Sequence, residues 1–82
     1  MSIRVLFFAK IREQLGQDHI TVADEFATVE ALRLHLTAQG EPWTSALAVN
    51  KLLVGVNHTI VPLTSAIKDG DEVAFFPPVT GG

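Results

Sequence analysis

The chain has 82 residues, a net charge of −3, a sequence pI near 5.4 and no cysteine. That is enough for one domain, and a domain so small buries only about 60% of the surface its unfolded chain exposes. Without cysteine, no disulfide, thiolate metal site or persulfide carrier is available, and without a basic stripe neither nucleic acid nor an anionic membrane surface is the expected partner. What the chain offers instead is apolar content, 48% of residues with a mean hydropathy of +0.31. Not all of it fits inside, so part is expected on the surface as a partner-binding patch. The apolar run Val5 to Ala9 is too short for a signal-peptide core or a membrane span, and the chain is expected to be cytoplasmic.

Ile3 to Ala9 is rich in Ile, Val and Phe and predicts a strand. Arg4 must face water, so period two puts Leu6 and Phe8 on its side and Ile3, Val5 and Phe7 inward. Ile11 to Leu15 is a short helical segment stopped by Gly16, and His19 to Val22 predicts a second strand, antiparallel to the first across a long connection. Thr28 to Gln39 is the main helix: Thr28 caps it, Glu30 suits its first turn, and Val29, Leu32 and Leu36 form its apolar stripe. Gly40 is expected at C′, and Pro42 opens a short helical piece carrying Trp43 and Leu47. Leu52 to Val56 and Ile60 to Leu63 predict two strands around an Asn57-His58 turn, with Pro62 confining the second to an edge. The turn Lys68-Asp69-Gly70-Asp71 leads into a last strand, Glu72 to Phe76. There Val73 and Phe75 point inward, while Ala74 and Phe76 share the side of Glu72. Residues 1–76 thus make one α+β domain, and 77–82 are left over as an extended tail.

No side-chain constellation resembles an active site. There is no phosphate-binding glycine loop. His19, His35 and His58 stand apart with no ligand spacing, and Asp69, Asp71 and Glu72 read as a solvated turn, so no metal is expected. The tail carries the chemistry. Pro77-Pro78 cannot continue a ladder and stiffens the chain that follows. At about 3.1 Å per residue, six residues reach roughly 18 Å. Gly81 and Gly82 have no side chains, so they can thread a narrow channel and present a carboxylate to a buried site. From Phe75 to Gly82 no side chain is charged.

Two stretches, Ile3-Arg4-Val5-Leu6-Phe7-Phe8-Ala9 and Asp69-Gly70-Asp71-Glu72-Val73-Ala74-Phe75-Phe76-Pro77-Pro78-Val79-Thr80-Gly81-Gly82, resemble the small, sulfur-carrying subunits of molybdopterin synthase. The resemblance extends over the whole chain in length and element order, although Gln39 to Lys51 carries no motif. It implies a ubiquitin-like β-grasp: a mixed sheet with the first and last strands parallel at its centre and one main helix packed across one face. It implies that the Gly82 carboxylate is adenylated by an E1-like enzyme using ATP. A sulfur-donor enzyme then turns it into a thiocarboxylate, and the large catalytic subunit receives it, in a heterotetrameric synthase, for transfer to a cyclic pterin precursor. Gly81 gives access. No cofactor is permanently bound, and the chain alone is not expected to be catalytic.

If the first and last strands are neighbours, Leu6, Phe8, Ala74 and Phe76 form one apolar docking patch facing water, which Ile60 joins. Pro77, Pro78, Val79 and Thr80 are expected to contact the partner along the tail. Two related readings share the Gly-Gly end: a ubiquitin-like protein modifier joined through Gly82 to lysines, and a sulfur carrier for thiamine thiazole synthesis. A third reading is a plain interaction domain with an inert tail.

Overall fold

A computed structural model describes residues 2–49 and 52–78. Strand β1 (Ser2–Phe7) is followed by α1 (Ala9–Leu15), β2 (His19–Ala23), α2 (Val29–Thr37), α3 (Trp43–Ala46), β3 (Leu53–Val56), β4 (Thr59–Val61) and β5 (Glu72–Phe76). The five strands form one sheet in the order β2-β1-β5-β3-β4. β1 and β5 run parallel at its centre, with Val5 opposite Val73 and Phe7 opposite Phe75, and every other pairing is antiparallel. The expected ubiquitin-like β-grasp is therefore the fold.

Alternation along the strands builds the core. Ile3, Val5, Val73 and Phe75 are completely buried and Phe7 nearly so. α2 adds Val29, Leu32 and Leu36 from its apolar stripe, and α1 adds Ile11 and Leu15. The Phe7 ring stacks on Phe75 at 6.3 Å and meets Trp43 edge-on at 5.8 Å. Trp43 and the buried Leu47 thus tie α3 to the sheet, so the stretch that carried no motif supplies core.

Local chemistry sets the element ends. The Ala31 N–H donates to Thr28 Oγ1 at 3.1 Å, the expected cap. Gly16 ends α1 in the left-handed region at φ 70°. Gly40 is also left-handed, at φ 86°, but not at C′. Helix α2 closes at Ala38, and the last turn tightens, with Gln39 N–H donating to Leu36 O and Gly40 N–H to Thr37 O, which displaces the glycine by one position. Asn57 and His58 both have positive φ, 50° and 73°, which suits the twist of a tight hairpin. β4 lies at the sheet edge as expected but stops at Val61, one residue before Pro62.

Two buried polar groups stand out from the apolar pattern. Arg33 donates from Nε and Nη2 to Glu30 at 2.6 and 3.0 Å and from Nη1 to Leu47 O at 3.0 Å, pinning the end of α3 to α2. The Arg33 guanidinium holds the Glu30 carboxyl below the usual carboxylate range. Asp71 accepts from Asn57 Nδ2 at 3.0 Å and from Lys68 N–H at 2.9 Å. The Asn57 amide is the larger reason why its carboxyl also titrates low. Asp71 is thus a turn brace for β5: the acidic stretch is a turn as expected, but Asp71 is buried within it rather than solvated, because Asn57 and Lys68 satisfy its carboxylate.

Candidate functional site: the open sheet face and the tail exit

The helices cover one face of the sheet, and the register defines the other. Leu6 of β1 lies opposite Ala74 of β5, Ala74 opposite Gly55 of β3, and Gly55 opposite Ile60 of β4. Leu6, Ala74, Gly55 and Ile60 therefore form one row across four strands. A second row begins beyond the end of β1. The Phe8 N–H donates to Phe75 O at 3.1 Å, which continues the parallel ladder and sets Phe8 beside Phe76, and Phe76 lies opposite Leu53. Phe8 is 45% exposed and Ile60 61%. The five patch residues expected from the sequence are thus on one face, and Phe8 and Phe76 adjoin the point where the chain leaves β5.

One expectation needs correction. Phe76 does not simply face water; it is half-buried. A Cβ on Gly55 would lie 3.9 Å from a Phe76 ring atom, so the ring lies over the strand position that has no side chain. Leu53 and Gly55 were missing from the sequence-derived patch. The signal for them existed: Val54 is a core residue, so its neighbours in β3 must face the other way.

The opposite end of this face is polar. Arg4 Nη1 lies 3.7 Å from Glu72 Oε2, and His58 Nε2 lies 3.6 Å from Glu72 Oε1. Along β1, β5, β3 and β4 the face is apolar toward the tail and charged away from it, while on the β2 edge His19, paired with Asp18, stands opposite Leu6.

On the helix side, Pro77 and Pro78 line a groove of about 290 Å³ together with Lys10, Ile11 and Gln14 of α1 and Ser45 and Ala46 of α3. Pro77 is half-buried there and Pro78 exposed. Val79, Thr80, Gly81 and Gly82, the remaining residues singled out from the sequence, lie outside the described residues. The three histidines stay apart: His19 Nδ1 is 2.9 Å from Asp18, His35 packs on the Phe26 ring at 4.9 Å, and His58 faces Glu72. Among the described residues no three metal-binding side chains converge, and no helix is long and apolar enough to cross a membrane.

Comparison with known proteins places these features. The ThiS family model matches residues 5–82. The molybdopterin synthase sulfur carrier subunits of Haemophilus influenzae and Escherichia coli are each 58% identical to this chain, over 98% of it and 99% of theirs. Among solved structures, that of SAMP1 from Haloferax volcanii superposes with a TM-score of 0.75 at 29% identity, and the match covers 100% of both chains.

Proposed function

The chain belongs to the ThiS family, and from that premise we propose that it is the sulfur carrier of a molybdopterin synthase, working through the carboxylate of Gly82. The observation that carries this reading is the apolar half of the open sheet face. Leu6, Phe8, Ala74, Phe76 and Ile60 share the open face, with Phe8 and Phe76 at the end of β5 from which the chain runs on to Gly81-Gly82. A partner that docks on this patch is positioned to receive the tail. The identity to sulfur carrier subunits supports the same reading over nearly the whole chain.

The chemistry follows from what a carboxylate lacks. Its oxygen is a poor leaving group, so an E1-like enzyme joins it to the AMP part of ATP and releases pyrophosphate. Sulfur at the sulfide level, delivered by a donor enzyme, displaces AMP and leaves a thiocarboxylate, a soft nucleophile that is ionised at neutral pH. Within the large catalytic subunit of the synthase this sulfur bonds to the cyclic pterin precursor, and water attacks the Gly82 acyl carbon, breaks its C–S bond and returns it as a carboxylate. Proton transfer and charge stabilisation are assigned to the partners, because among the described residues no cluster of titratable side chains is gathered to supply them. Gly81 keeps the backbone narrow where it threads the partner. In this reading ATP belongs to the activating partner and the cycle runs in the cytoplasm.

The test is intact mass. The full chain, incubated with adenylating enzyme, ATP and sulfur donor, is expected to exchange one oxygen for one sulfur. A chain lacking Gly82, or extended past it by one uncleaved alanine, is expected to stay unloaded while unfolding like the parent. Loading of the extended chain would refute the role of the terminal carboxylate. Conjugates with larger proteins, without sulfur exchange, would point instead to a protein modifier.

A further inference from the structure

The groove between α1 and α3 is on the opposite side of the sheet from the Phe76 patch, yet it reaches the same tail. Its floor is apolar: Ile11 and Ala46 are buried core residues, and the half-buried Pro77 and exposed Pro78 supply its accessible apolar surface. Its rim is polar, with Lys10 and Gln14 on α1 and Ser45 on α3. Lys10 is the only charged residue lining it and makes no ion pair among the described residues. The acid nearest in sequence to the α3 wall, Glu41, is already engaged, accepting from Ser45 N–H at 2.9 Å and Ser45 Oγ at 2.7 Å.

We propose that this groove docks a segment of the tail-receiving large subunit in which an apolar side chain sits beside a carboxylate, the apolar group against the accessible rings of Pro77 and Pro78 and the carboxylate on the Lys10 ammonium. The proposal rests on the carrier reading above. Two observations select this occupant. Pro77 belongs to both the groove and the tail, so a partner that takes in the chain beyond Pro78 closes over the groove's mouth. The lining pairs an apolar floor with a single positive rim charge, which complements an acidic, apolar-tipped segment and disfavours a basic one. Contacts on both sides of the sheet then fix the direction in which the tail enters, which a single patch would leave free to pivot.

Affinity of the full chain for the large subunit, measured at low and high salt, tests this. Lys10 is exposed, so its variants are expected to fold. Lys10→Glu is expected to weaken binding by about tenfold, mostly through slower association, and Lys10→Met to weaken it less while flattening the salt dependence. Separately, p-benzoylphenylalanine in place of Gln14 is expected to cross-link to a large-subunit peptide that contains an acidic residue. Parent-like affinity and salt dependence in Lys10→Glu, or cross-links only to peptides without an acid, would overturn the proposal. If Phe76→Arg weakens binding and Lys10→Glu does not, the carrier reading stands and the groove proposal falls alone. If the parent chain itself fails to bind the large subunit, the carrier reading fails and the groove proposal with it.

Discussion

Neighbouring residues of the same two strands have opposite surroundings. On the helix side of β1 and β5, Ile3, Val5, Phe7, Val73 and Phe75 are sealed, none more than 1% exposed. On the other side, Leu6, Ala74 and Phe76 are half-buried, and Phe8, just past β1, is exposed. Both rows are apolar, yet only one is covered, because the helices all pack on one face. A two-layer domain of this size has no second layer for the other face. The strands that hold the fold together therefore also display an apolar surface, and a partner can complete it without disturbing the core. The comparison predicts that substitutions on the two sides separate: the covered row costs stability and the open row costs binding.

The largest expected effect is on the covered row. Phe75→Ala removes a fully buried ring that stacks on Phe7. It is expected to cost about 3–5 kcal/mol in urea denaturation, a large share of the roughly 5–15 kcal/mol that such domains possess. Folded molecules of the variant are expected to bind the large subunit nearly as the parent does. A stability loss below about 1 kcal/mol would mean that the covered row is not the core.

One residue further on, Phe76→Arg is expected to invert the pattern. As an aromatic anchor next to the tail it is expected to contribute about 2–4 kcal/mol to binding, read by calorimetric titration against the large subunit. Its stability cost is expected near 1 kcal/mol rather than zero, because the ring is half-buried over Gly55. If the stability loss matches that of Phe75→Ala while the folded variant binds normally, the two rows do not divide the work.

Wherever a feature depends on local periodicity, the sequence was sufficient. Arg4 and Glu72 set the parity of β1 and β5, Thr28 marked the helix start, and Pro62 marked the edge. The residues that bear on the site but escaped depend on pairings between distant segments. The cover over Gly55 comes from Phe76, 21 residues later, and neither position reveals the other until β3 and β5 are in register. The groove joins α1 to α3, which lie far apart in the chain and share no pattern. Arg33 looks like a surface position on α2, and it is buried only because Glu30 and the Leu47 carbonyl satisfy its donors. Gly40 shows a smaller limit: its left-handed backbone was readable, but the tightening of the last turn that moved it was not.

The smallest effect is expected at the position that joins the two behaviours. Gly55 lies in β3 on the open face, with its backbone outside the left-handed region, so alanine meets no conformational penalty there. The added methyl would sit 3.4 Å from the Thr59 carbonyl oxygen and 3.9 Å from the Phe76 ring. The first contact is tight and costs something; the restricted unfolded chain gives back about 0.4–1 kcal/mol. The two are expected to cancel to within about 1 kcal/mol in urea denaturation. The methyl meets the ring at an ordinary van der Waals distance and fills the space beneath it without displacing it, so binding is expected to change by less than about 1 kcal/mol in the same titration. If Gly55→Ala instead destabilises the domain as Phe75→Ala does, the space under Phe76 belongs to the core. A binding loss well above about 1 kcal/mol in a stable variant would mean that the methyl does displace the Phe76 ring and that the partner reads its position.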